Sequence, residues 1–208
     1  MLKTLFHDLI IQYKPTEEEQ TGLWNEIETA YSAPERSYHT LTHIQSLINH
    51  LIPVKQHILD WNALLFAAFY HDIVYTATSK NNEEESAIMA SDRMSAIMVP
   101  ADLIAHCTRI ILATKSHAVH PDNDINIFLD ADLAILGSDE ATYRMYSNAI
   151  RSEYKVFADP EYKAGRKKVL DHFLARPHIF ITGYFNTDFE EQARQNLQQE
   201  IQRLEARQ

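Results

Sequence analysis

Three short stretches of this chain set imidazoles and carboxylates at spacings that could do chemistry. In YHTLTHIQSL, His39 and His43 are four residues apart, so both can share one face at the start of a helix. In FAAFYHDIVY, His71 and Asp72 stand side by side within an apolar run, where charged groups are rarely buried without a partner. In LDADL, Asp130 and Asp132 lie inside another apolar segment. Two imidazoles and two carboxylates suit a divalent transition ion, since neutral imidazole binds Mn, Fe, Co, Ni or Zn while carboxylates supply oxygen and charge. Each stretch alone is a weak signal: His7-Asp8 repeats the dipeptide in the same chain. Their conjunction, H-x3-H, then HD, then D-x-D-L, is stronger. The competing reading is that these polar groups only satisfy one another.

The elements that must position these residues read as helices. Residues 2–11 are amphipathic, and Thr16 is placed to cap a helix running to about residue 31. A third helix is expected from about residue 40, ended by Pro53. Asp60 is a good cap for residues 61–75, which are apolar nearly all round and therefore belong in the centre of a domain. Neighbours on a helix point about 100° apart. His71 and Asp72 would therefore converge only on an ion lying off the helix face, at a junction of helices. Further helices are expected to begin with EEESAIM and stop before Pro100, then over 101–115, 139–158, 160–175 and 188–207. IFLDADLAILG reads as a short apolar segment closed by Gly137.

Composition agrees with this picture. Only four glycines occur in 208 residues, which argues against a fold of hairpins, and 45% of residues are hydrophobic, enough for a real core. The 19 basic and 29 acidic residues give a formal charge of −10, which disfavours nonspecific binding of long nucleic acids. Cys107 is the only cysteine, so neither an internal disulfide nor a thiolate cluster is expected, and its apolar neighbours mark it as an inert core thiol. No signal peptide or membrane-spanning run is visible. The expectation is an all-α chain, one helical bundle over 1–208, cytoplasmic and without a membrane partner. Its metal site would draw on residues from about 36 to 132, with 139–207 completing the pocket.

The order of these motifs resembles the HD superfamily of metal-dependent phosphohydrolases, whose ligands run His, His-Asp, Asp. In particular the chain is similar to a family of small bacterial HD-superfamily phosphohydrolases, which share the YH-x3-H element, the apolar HDIVY, an acidic NEE-x-SA stretch and DADLAILG. The likeness extends into IRSEY and GRKKVLDHFL, and so covers most of the chain. The resemblance implies an HD-type bundle and one or two divalent ions (Mn, Fe, Co, Ni, Zn or Mg) held by His43, His71, Asp72 and Asp132. By likeness to the cyclic-nucleotide phosphodiesterases, distant members of the superfamily, His39 is the general acid and Asp132 rather than Asp130 is the ligand. Asp130 then orients a ligand or caps a helix.

Further roles follow from phosphoryl chemistry. Asp72 is suited to bridge a second ion or to accept the proton of the attacking water. His106, His117 and His120 are candidates for a second ion or a phosphate, with His117 the best family fit, and each also reads as a solvated or helix-end histidine. The run Glu83-Glu84-Glu85 complements a helix dipole. Glu84 is also in phase with Ala87, Ile88 and Ser91, which would turn it towards the site as a base. Arg36, Lys115 and Arg151 are the candidate phosphate contacts, Arg36 first among them, although Arg151 could equally form a structural helix pair. Tyr38 and Tyr75 either stack on a base or line the core. The expected activity is hydrolysis of a small phosphorylated compound such as a nucleotide, with monoester and diester chemistry left open. The alternatives are a non-catalytic regulatory module that binds metal and nucleotide, and a helical scaffold. Ile179-Phe180-Ile181 offers either a homodimer contact or core packing.

Overall fold

Local signals in the sequence place the helix starts. Thr16 and Glu19 form a reciprocal capping box, each side chain meeting the other's backbone N–H, and three glutamates fill the first turn behind it. Asp60 accepts a hydrogen bond from Ala63 N at 3.0 Å, as a cap should. In this computed structural model, which describes residues 1–206, ten α-helices form and no strand occurs among the described residues. The all-α expectation holds. None of these helices is long and apolar enough to cross a membrane.

The chain divides into two compact units, one of residues 1–129 and one from Asp130 onward. The first unit contains α1 (Leu2–Ile10), α2 (Glu17–Tyr31), α3 (Leu41–Leu51), α4 (Trp61–Tyr70), α5 (Asn82–Ala96) and α6 (Ala101–Ala113). The boundary falls inside α7 (Asn123–Leu133). As expected, α4 is the centre: every residue from Ala63 to Tyr70 is buried, and α1, α3, α5 and α6 pack against it. Phe69 meets Phe6 of α1 edge-on, with ring centroids 5.0 Å apart. Cys107 lies buried on α6, and its desolvation pushes the thiol well above the usual range.

The second unit continues from α7 through a 3₁₀ turn (Ala134–Gly137) into α8 (Glu140–Glu153), α9 (Asp159–Leu174) and α10 (Gly183–Ala206). Gly137 is needed for close approach, because a Cβ there would lie 2.6 Å from both Cβ and the carbonyl oxygen of Phe189 on α10. Asn196 seals the contact by donating to the carbonyls of Leu136 and Ser138. Ile179 and Phe180 are buried, so this apolar stretch is core. Its backbone is pinned by two carboxylates: Glu190 accepts from Ile179 N and Phe180 N, and Asp130 from Ile181 N and Thr182 N. A bidentate pair of Arg166 with Glu200, joined by the Tyr143 hydroxyl, sits in the interior of this unit.

Candidate metal centre

The first unit brings His39, His43, His71 and Asp72 together. His43 rides on the first turn of α3 and is 5% exposed; His71, at the end of α4, is 1% exposed. Their Nε2 atoms are 3.0 Å apart. The Asp72 Oδ2 atom lies 3.0 Å from His71 Nε2, 3.7 Å from His43 Nε2 and 3.9 Å from His39 Nε2. Nδ1 of His71 is 3.2 Å from the Ala68 carbonyl oxygen, which can only accept, so Nδ1 carries a proton and Nε2 is the ring atom that faces Asp72 and His43. Burial alone would raise the Asp72 carboxyl. The imidazoles of His71, His39 and His43 outweigh that effect and hold it well below the usual carboxylate range.

The ending of α4 makes this convergence possible. The apolar pattern predicts a helix through residue 75, but the helix stops at Tyr70, with His71 as its C-cap and Asp72 in the turn beyond. Tertiary partners take the backbone groups that would have continued it. Asp72 N donates to the Tyr31 hydroxyl at 3.2 Å, and Val74 N to Ser86 Oγ at 3.1 Å. The Asp72 and Ile73 carbonyls accept from the Arg36 guanidinium at 2.7 and 2.9 Å. Released from helical phase, Asp72 folds back towards the imidazole of its own neighbour.

Arg36 therefore has a different position from the one its charge suggests. It is 9% exposed, also donates to the His39 carbonyl at 3.2 Å, and lies over the Tyr31 ring. These bonds make it a strut between the segment carrying His39 and the segment carrying Asp72. On α5 the expected inward face holds at Ala87 but not at Ile88. The buried face of α5 is Ser86, Ala87, Ala90 and Met94, while Ile88 is 62% exposed. Glu84 pairs with Lys115, which lowers its pKa, and Lys115 also donates to the Lys80 carbonyl. Two candidates for substrate chemistry are thus paired with each other.

The remaining candidates belong to other segments. His117 takes a left-handed backbone conformation, φ 46°, in the turn after α6. His120 accepts from Asp122 N through Nδ1 and shapes the turn leading into α7. Asp132 is half-buried in the last turn of α7, in the second unit. Asp130 is fully buried and holds the strand of backbone leading into α10 through Ile181 N, Thr182 N and the Thr182 hydroxyl. Arg151, in the second unit, pairs with Asp159 and donates to the carbonyls of Tyr154 and Phe157, closing the turn after α8. Tyr75 lies against the His39 ring, with centroids 4.2 Å apart, and Tyr38 packs on His39 and His43.

The donor set fits a divalent ion. The described residues contain His/Asp groups able to hold one, among them the His43 and His71 pair and a separate group of His106, Asp122 and Asp124. Two nitrogens bound at right angles to one ion on bonds of about 2.1 Å stand roughly 3 Å apart, as Nε2 of His43 and of His71 do. Sequence reasoning did not single out the supports, Tyr31, Ser86 and the Ala68 carbonyl. Only Ser86 had a visible signal, as part of NEE-x-SA. In comparisons with protein-family profiles, curated proteins and solved structures, the chain matches none.

Proposed function

We propose that the chain is a cytoplasmic, metal-dependent phosphohydrolase acting on a small phosphorylated compound of the nucleotide class. Support comes from one relationship above all: two buried Nε2 atoms 3.0 Å apart, with the Asp72 carboxylate 3.0 and 3.7 Å from them. Structural satisfaction of the three groups would explain one hydrogen bond. Convergence of two imidazoles and a carboxylate on one point is, beyond that bond, the donor set of a divalent transition ion.

In this proposal His43, His71 and Asp72 hold the ion, and Asp132 is the fourth ligand on the strength of the sequence pattern and the HD-superfamily resemblance. A divalent ion so bound lowers the pKa of its water and polarises phosphoryl oxygens. The chain's own residues do the rest. Ala68 orients the His71 ring by its contact with Nδ1, so that Nε2 is the atom turned towards the ion. Oδ2 of Asp72, ionised at neutral pH, accepts the proton of the attacking water. His39 stands 3.9 Å from Asp72, partly exposed and steadied by Tyr75, and gives its proton to the leaving oxygen. Arg36 keeps the two segments in register.

A second reading, a regulatory module that binds metal and nucleotide without turnover, is favoured by one observation. Arg36 and Lys115 already donate to protein carbonyls and to Glu84. The deciding experiment is elemental analysis of protein purified without chelators, followed by phosphatase and phosphodiesterase panels with Mn, Mg, Co and Ni. Stoichiometric metal with phosphate release, abolished in a folded Asp72→Ala variant, is the expected result. Bound metal without turnover on any panel substrate would select the second reading. Protein that binds no metal and gains no activity from it would sink both.

A further inference from the structure

The second group of metal-capable side chains lies wholly within the first unit and has no part in the chemistry above. We infer that His106, Asp122 and Asp124 form a separate, structural site for a divalent first-row transition ion. One ligand atom from each residue lies within 4.8 Å of the others. His106 comes from α6, Asp122 from the turn before α7 and Asp124 from the first turn of α7.

The decisive atom is Nε2 of His106. It lies 3.1 Å from Oδ2 of Asp122, yet it is buried and makes no hydrogen bond, because the direction of its ring nitrogen does not meet that oxygen. A buried ring nitrogen close to a carboxylate but misaligned for a proton is the arrangement of two ligands aimed at a common third point. The other ring nitrogen, Nδ1, faces the Asp60 carboxylate at 3.6 Å. A carboxylate behind the histidine is the usual way of orienting a metal-binding imidazole.

Asp124 is held ready in the same manner. It is 1% exposed, and its carboxylate accepts from Leu59 N and Asp60 N at 2.9 and 2.8 Å. Leu59 N also reaches the second oxygen at 3.1 Å; with about four acceptor sites on a carboxylate, these bonds leave one lone pair for an ion while fixing the oxygens in place. Asp60, Asp122 and Asp124 place three carboxylates around one imidazole. A proton on His106 would offset one of those charges, and a divalent ion offsets two. The imidazole selects a transition ion over calcium or magnesium, which prefer all-oxygen shells. Bound there, the ion joins the start of α4, the middle of α6 and the start of α7.

The test counts ions on the full chain, stripped with chelator and titrated with Zn(II), with calcium as the control. Two Zn(II) ions per chain are expected, one lost in Asp122→Asn and the other in His43→Gln, with no uptake of calcium at the Asp122 site. Asp122 has a side chain 30% exposed, so its variant tests the site without emptying the core. His106→Gln is the companion, checked by circular dichroism. Asp60→Asn, which leaves all three ligands in place, should weaken the ion lost in Asp122→Asn by about 10- to 100-fold. Should Asp122→Asn bind as many ions as the parent, with the same affinity and metal-induced thermal shift, the site is refuted even if His43→Gln loses its ion. One ion lost only in Asp122→Asn would instead uphold this site and refute metal binding by His43 and His71.

Discussion

The Nε2 atoms of His43 and His71 face each other across 3.0 Å in the interior of the first unit, while Nδ1 of His71 is committed to the Ala68 carbonyl. Two lone pairs at that separation repel unless a proton or a cation lies between them. His71→Gln should therefore remove stoichiometric metal while retaining helical content, as measured by elemental analysis beside circular dichroism. A variant that keeps its full metal complement would show that His71 is only a packed core residue.

His39 is assigned a proton rather than a metal bond. His39→Gln should leave metal content unchanged and lower kcat by about 10²- to 10⁴-fold, the usual range for loss of a general acid. Substrates with a better leaving group need less protonation, so the loss should shrink for an activated aryl phosphate. Equal losses on both substrates would remove His39 from that role.

Arg36 links three carbonyls from two segments through a planar fork, which lysine cannot reproduce. Arg36→Lys should cost about 1.5–3 kcal/mol in urea unfolding, since hydrogen bonds from charged donors are the strong ones. It should also weaken metal affinity, by loosening Asp72. An unchanged unfolding midpoint would mean that these bonds add nothing to stability.

The second unit supplies a prediction about acid. The Glu200 carboxyl is buried, which alone would raise its pKa, but the bidentate bond from Arg166 and the Tyr143 hydroxyl lower it below the ordinary value of 4.5. Its folded pKa is depressed. The stabilisation is therefore complete above the unfolded value and is lost as pH falls through the folded one. Glu200→Gln leaves Arg166 buried without its counter-charge and should cost about 3–5 kcal/mol at neutral pH. The gap between variant and parent should close as pH drops below 4.5, followed by thermal melts. A gap independent of pH would detach Glu200 from the acid response.

Gly137→Ala tests packing alone. The added methyl meets the backbone and Cβ of Phe189, atoms that cannot rotate away. A loss of about 1–3 kcal/mol is expected, typical of overpacking. A melting temperature equal to the parent's would show that α10 can shift at no cost.

Much of the frame was legible in the sequence because its signals are local. Thr16 with Glu19, Asp60 before an apolar run, and Pro53 after a periodic one act over three or four residues. What remained hidden depends on distant partners. The stop at Tyr70 has no breaker residue; it is imposed by Arg36, Tyr31 and Ser86, which lie 12 to 41 positions away from the groups they bind. Ile88 falls outside the expected inward face of α5 because the helix buries a stripe of Ser86, Ala87, Ala90 and Met94, and one residue of phase turns a helix by about 100°. His106 and Asp122 are sixteen positions apart and form no recognisable motif, so only the fold reveals that they meet.

The C-terminus of α4 carries one more consequence. Its last carbonyls concentrate the negative end of the helix macrodipole beside His71 and the ionised Asp72. A negative helix end favours a cation at that place over an anion. On the proposed function, binding should accordingly be ordered, the cation first and the anionic compound second, and the protein stripped of its ion should fail to bind that compound rather than merely turn it over slowly.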